Sequence, residues 1–167
     1  MLIVISAISA LSASAEAAES VPSACGLVSR AEIQRAIGGT IVGFDHATTF
    51  RDGSTSMCQG STGGVTLTVR VSLESAQDPR NEQAIARMMI NRGGDVKTAT
   101  TGAVTCTTIV PPPSMSEYGY DSICKISGNG REVAVQASTR DRNARVPVGP
   151  LRQLVMLAEH RLAGAGR

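Results

Sequence analysis

Four cysteines, Cys25, Cys58, Cys106 and Cys124, constrain this 167-residue chain more than any other feature. Four thiols allow three pairings. None of the spacings is C-x-x-C, and the two histidines, His46 and His160, stand far apart in the chain, so no metal site is expected. The amino terminus favours bridges over free thiols. It opens with an apolar run of about eleven residues, short of the roughly 20 that a spanning helix needs. Small residues follow, and Ala13-Ser14-Ala15 and Ala15-Glu16-Ala17 both fit the signal-peptidase rule. These features predict a signal peptide over residues 1–17, a single globular domain over residues 18–167 and a secreted or periplasmic destination. No Lys or Arg precedes Arg30, which points to an atypical signal or to a start upstream of Met1. In an oxidising compartment the four thiols are expected to form two disulfides. Cys25–Cys58 and Cys106–Cys124 are the expected pairs because each lies within one half of the chain, closing spans of 33 and 18 residues. Each bridge is expected to contribute about 3–4 kcal/mol in the chain-entropy view.

The clearest local signal is a capping box at Ser29-Arg30-Ala31-Glu32, with Val28 and Ile33 as its hydrophobic staple. It predicts a helix over Ser29–Ile37 that buries Ile33, Ala36 and Ile37 and stops at Gly38. Val65, Leu67, Val69, Val71 and Leu73 alternate strictly with polar residues, the mark of a strand with one wet face. The glycine-rich stretch Gly60–Gly64 is expected to turn a partner around Cys58 into it, and Ile41–Phe44 to add a further strand. Asp78 and Pro79 read as N-cap and first residue of a second helix ended by Gly93-Gly94, its thin apolar face being Ala84, Ile85, Met88 and Met89. Strands are expected over Asp95–Thr101, Val104–Val110, Tyr120–Ser127 and Glu132–Ser138, the last two joined at Gly128-Asn129-Gly130. Leu151, Leu154, Val155, Ala158 and Leu162 mark one face of a closing helix ended by Gly164. Strands in runs argue for an α+β fold: an antiparallel sheet with helices packed on one side, in the order αβββα-βββ(β)α.

Chemistry-bearing residues are sparse. The net charge of +2 and only four aromatics, Phe44, Phe50, Tyr118 and Tyr120, exclude a dedicated nucleic-acid binder. His46 with Ser54 or Ser56 offers the parts of a hydrolase triad but no G-x-S-x-G elbow, and His160 sits by a helix carboxyl end, where the dipole favours it. The glycine-rich turns lack a phosphate-loop lysine, and Glu117, Asp121 and Glu132 supply no recognisable glycosidase pair. No catalytic residue and no cofactor are assigned.

Two surface features stand out. Pro111-Pro112-Pro113 stiffens a loop that runs through Met115 to Tyr118 and Tyr120, inside the smaller disulfide span, and is a candidate partner-binding segment. Arg140, Arg142 and Arg145 form a candidate anion-binding loop, although arginine supplies 14 of the 16 basic residues throughout.

The stretch Cys25-Gly26-Leu27-Val28-Ser29-Arg30-Ala31-Glu32-Ile33 with Ala36-Ile37-Gly38, then Cys58 ahead of the strand Val65–Val71, resembles exported bacterial proteins of uncharacterised function. The set is similar to actinobacterial lipoproteins of unknown function and, more loosely, to extracellular sensor domains of mycobacterial receptor kinases. Pro22 stands where a lipobox carries Leu, so Cys25 departs from the lipoprotein pattern. The resemblance implies an extracytoplasmic binding or accessory role with no catalytic residues. The expected partner is a protein or small molecule of the cell envelope, with inhibition of an extracellular protease or cell-wall hydrolase as the alternative and a small hydrolase as the second.

Overall fold

Two antiparallel meanders meet edge to edge and make one seven-stranded sheet. The computed structural model describes residues 20–50, 53–76 and 79–165. The first meander is β1 (Ala47–Phe50), β2 (Thr55–Thr62) and β3 (Val65–Leu73). The second is β4 (Asp95–Thr101), β5 (Val104–Val110), β6 (Tyr120–Gly128) and β7 (Arg131–Thr139). The order across the sheet is β1-β2-β3-β7-β6-β5-β4, with β3 and β7 paired along their full length from Val65↔Thr139 to Leu73↔Arg131. Helix α1 (Arg30–Ile37) precedes the sheet, α2 (Pro79–Asn91) links the meanders and α3 (Val148–Ala165) closes the chain. The fold is therefore α+β, in the order expected from the sequence.

The alternation in β3 sets the two faces. Val65, Leu67, Val69 and Val71 are buried. Their ladder partners Ala137, Val135 and Val133 share that face, as do Cys58 on β2 and Cys124, Ile126, Cys106 and Val104 on β6 and β5. Helix α3 covers this face with Leu151, Leu154, Val155 and Ala158, all buried, and α1 adds Ile33 beside it. The opposite face carries Thr68, Arg70, Gln136 and Lys125. There α2 lies over the sheet, tied down by Lys125 Nζ donating to Glu82 at 2.7 Å. So α1 and α3 form the expected one-sided layer, and α2 is the exception. Of its expected apolar face only Met89 is buried, while Ala84 and Ile85 are exposed.

Both disulfides join the expected partners and both bind the helix-covered face. Cys106–Cys124 staples directly opposed residues of β5 and β6, with Cα atoms 4.1 Å apart. Cys25–Cys58 holds a short 3₁₀ turn, Ala24–Gly26, against β2, where the Ala24 amide also donates to Ser56 Oγ at 2.9 Å. The capping box of α1 is complete: Ser29 Oγ accepts from the Glu32 amide, and the Glu32 carboxylate accepts from the Ser29 amide. Glu32 does more than cap. Arg161 of α3 donates to both its oxygens, at 2.6 and 2.8 Å, and to the Leu27 carbonyl at 3.0 Å. This fork holds the Glu32 carboxyl down at about 2, and the Ser29 contacts add to it against a desolvation cost.

Some boundaries differ from expectation. Ile41–Phe44 is no strand: it contributes a single bridge, Val42↔Ser61, and the first strand is Ala47–Phe50. The segment instead packs its Ile41 and Phe44 side chains over Gly60, where any Cβ would meet the Val42 carbonyl at 2.8 Å. Gly60 is thus inside β2, and the turn is Gly63-Gly64 alone. In the β6–β7 turn both Asn129 and Gly130 have positive φ, 55° and 73°, as a two-residue primed turn requires. Helix α3 begins at Val148 and runs through Gly164 to Ala165. The signal-peptide reading of residues 1–17 and the Asp78 cap lie outside the described residues. No helix among the described residues is long and apolar enough to cross a membrane.

Candidate functional site

The two surface segments singled out in the sequence converge at one end of the sheet. Tyr120 opens β6 and Thr139 ends β7, and the two residues are ladder partners. The loop before the one and the loop after the other therefore share an edge. Arg145 carries its guanidinium over the Tyr120 ring at 5.7 Å from the centroid, a cation–π pair. Gly119, with φ 76°, leaves room for the Thr139 carbonyl, 2.9 Å from where a Cβ would be, and so lets the loops touch. Tyr118 is 59% exposed beside them. Arg140 and Arg142 are exposed and make no ion pair among the described residues. Asp141, between them, is used locally: its Oδ1 accepts from the Asn143 amide at 2.8 Å and caps the turn Arg142–Ala144.

The proline run is built differently from a free, extended arm. Pro111 and Pro112 are buried, and Met115 is 3% exposed. Pro112 packs on Gly94 at the end of α2, where its Cδ lies 3.0 Å from the position a Cβ would take. The next residues, Pro113–Tyr118, wind into 3₁₀ turns with a kink at Met115, whose Sδ is 3.7 Å from an Arg92 nitrogen. Pro111, Pro112 and Met115 thus anchor the loop in the body of the protein and are removed from the contact surface. They leave exposed Pro113, Ser114, Ser116, Glu117 and Tyr118, with Tyr120 half-buried under Arg145.

The catalytic arrangements weighed from sequence do not assemble. Ser56 is buried, bonded to Ala24, and paired in the ladder with Thr49 rather than with the region of His46. His46 is 92% exposed at its side chain and, among the described residues, bonds Asp45, whose carboxyl is held below its ordinary range by that hydrogen bond and by Arg30. Asp121 and Glu132 lie six ladder positions apart on the α2-covered face, about 20 Å along the strand. Asp121 accepts from Ser138 and Gln136. Glu132 is buried and pairs with Arg70 at 2.9 Å and Lys125 at 3.3 Å. Burial pulls the Lys125 ammonium down, but the Glu82 and Glu132 carboxylates outweigh it and raise its pKa. No group of three or more potential metal-ligating side chains occurs among the described residues.

Two hollows accompany this end-on surface. One, of about 430 Å³, lies between α2 and its sheet face, with Ile85, Val96, Ile109 and Ile123 over a floor that includes Thr98 and Thr107. These two threonines bond each other at 2.9 Å, so their hydroxyls are engaged with one another. The other, of about 830 Å³, lies between the flank of α3 and the tips of the β4–β5 and β6–β7 hairpins, at the end of the β6–β7 ladder opposite Tyr120. Sequence reading missed both, because each is lined by residues far apart in the chain. No protein-family model matches this chain, and no curated protein does.

Proposed function

We propose that the protein is an exported, non-catalytic binding or accessory domain that engages a protein partner in the cell envelope through the Tyr118–Arg145 end of its sheet. The observation that carries the reading is the convergence of an exposed tyrosine, a Tyr120–Arg145 stack and two further exposed arginines on one rigid edge. Tyr and Arg are the side chains that dominate the energetics of protein interfaces, since each offers a large contact area with a polar tip. The buried prolines and Met115 fix the loop in advance, which lowers the ordering cost of association. Two disulfides support the extracytoplasmic assignment, because such bridges persist in oxidising compartments.

The test is site-specific photo-crosslinking in extracts of the native envelope. A photoreactive residue in place of Tyr118 is expected to give a discrete adduct that Arg145→Glu abolishes, while the same group in place of Ile85 on α2 gives none. Adducts from position 85 only, or adducts from 118 indifferent to Arg145→Glu, would move the contact elsewhere.

A further inference from the structure

The larger hollow has a character that the Tyr118 surface lacks. Its walls are apolar, built from Val104, Ile126 and Val133 of the sheet and Met156, Leu162 and Ala163 of α3. Met156 is 53% exposed, on a helix whose valines and leucines are buried or half-buried. Two guanidinium groups reach the same space, from Arg131 at the start of β7 and Arg152 in α3. The Nε of Arg152 is buried and has no hydrogen-bond partner among the described residues. A buried N–H of a charged group is costly unless something accepts from it. The acidic lining residue, Glu159, stands seven positions further along α3, about 10 Å along the axis, so it does not compensate Arg152 locally. His160 lies beside it at that far end.

We propose that this hollow binds one anionic amphiphile of the long-chain carboxylate class. Its head group accepts from the Arg152 guanidinium, and its chain lies along Met156 and the Val104–Ile126–Val133 wall. The volume falls within the range of small-molecule sites, and a few polar groups in an apolar cleft are their usual composition. The contrast with the hollow under α2 favours this one. There the cations Arg70 and Lys125 are paired with Glu132 and Glu82, and Thr98 is bonded to Thr107, whereas the Nε of Arg152 has no acceptor among the described residues. The proposal is independent of the Tyr118 surface, which lies at the other end of the β6–β7 ladder.

The probe is decanoate, titrated calorimetrically into the disulfide-intact chain below its aggregation concentration, with 1-decanol as the uncharged control. One decanoate is expected to bind per chain. Arg152→Gln should weaken it about tenfold or more, the loss of one charge-assisted contact, and decanol should bind correspondingly less well. Met156→Glu, at an exposed position that leaves the core intact, should abolish binding by placing a negative charge in the chain's path, and it decides the matter where Arg152→Gln does not fold. Amide shifts on binding should centre on Thr101–Val104 and Ile126–Asn129. No binding, equal binding of decanol, affinity unchanged in both variants, or shifts centred on α2 would each overturn the proposal.

Discussion

The two faces of the sheet are built from the same strands and do different work. The face beneath α1 and α3 is valine, leucine, isoleucine and cystine, with Leu67, Val69, Val71, Cys58, Cys124 and Val135 at 0% exposure. The face beneath α2 is threonine, glutamine and paired charges, and its helix leaves Ile85 and Ile90 about half exposed. The difference shows where folding free energy is held. Apolar area removed from water stabilises at roughly 25 cal/mol per Å², whereas partly exposed ion pairs contribute little. With no tryptophan and two phenylalanines, the covered face achieves its burial with small β-branched residues, and the disulfides reinforce that same layer.

The sharpest way to break this comparison is to remove a bridge. Replacing Cys25 and Cys58 together by alanine should lower stability by about 3–4 kcal/mol, read as a shift in the urea midpoint, with Cys106 and Cys124 close behind because their span is shorter. Leu67→Ala, on the covered face, should cost about 3 kcal/mol in the same measurement. Arg161→Ala releases Glu32 and the Leu27 carbonyl, and at this partly exposed site about 1 kcal/mol should be lost at neutral pH. Its sign with pH follows from the depressed carboxyl. The contribution is fully present above the ordinary value of 4.5 and fades as pH falls toward about 2, so wild type and variant should converge in acid. Ile85→Ala, on the open face, should change stability by no more than about 0.5 kcal/mol, and a larger loss would mean that α2 carries more of the fold than its exposure implies.

Much of the covered face was legible in the sequence because its signals are local. The alternation Val65–Leu73, the Ser29–Glu32 box, the Asn129-Gly130 turn and the Leu151–Ala158 stripe each depend on neighbours within a few residues. The pairing of cysteines followed from proximity along the chain, and the antiparallel meanders preserve that proximity in space. Tertiary contacts decided the rest. Gly60 reads as a turn residue but is glycine because Ile41 and Phe44 lie on it, and the proline run reads as an exposed spacer but packs on Gly94. The Arg161–Glu32 fork spans 129 residues and leaves no trace in local pattern. At the candidate site, the sequence marked Tyr118, Tyr120 and the three arginines as separate segments. Their union depends on the Tyr120↔Thr139 register, which no local signal carries.

If stability resides in the covered face and recognition at the Tyr118–Arg145 end, the two must separate under mutation. The direct measurement is Arg145→Glu, assayed at once for its urea midpoint and for the Tyr118-position crosslink. The account predicts a midpoint within about 0.5 kcal/mol of wild type together with loss of the adduct. A stable variant that still crosslinks, or one that loses fold and adduct together, would contradict it.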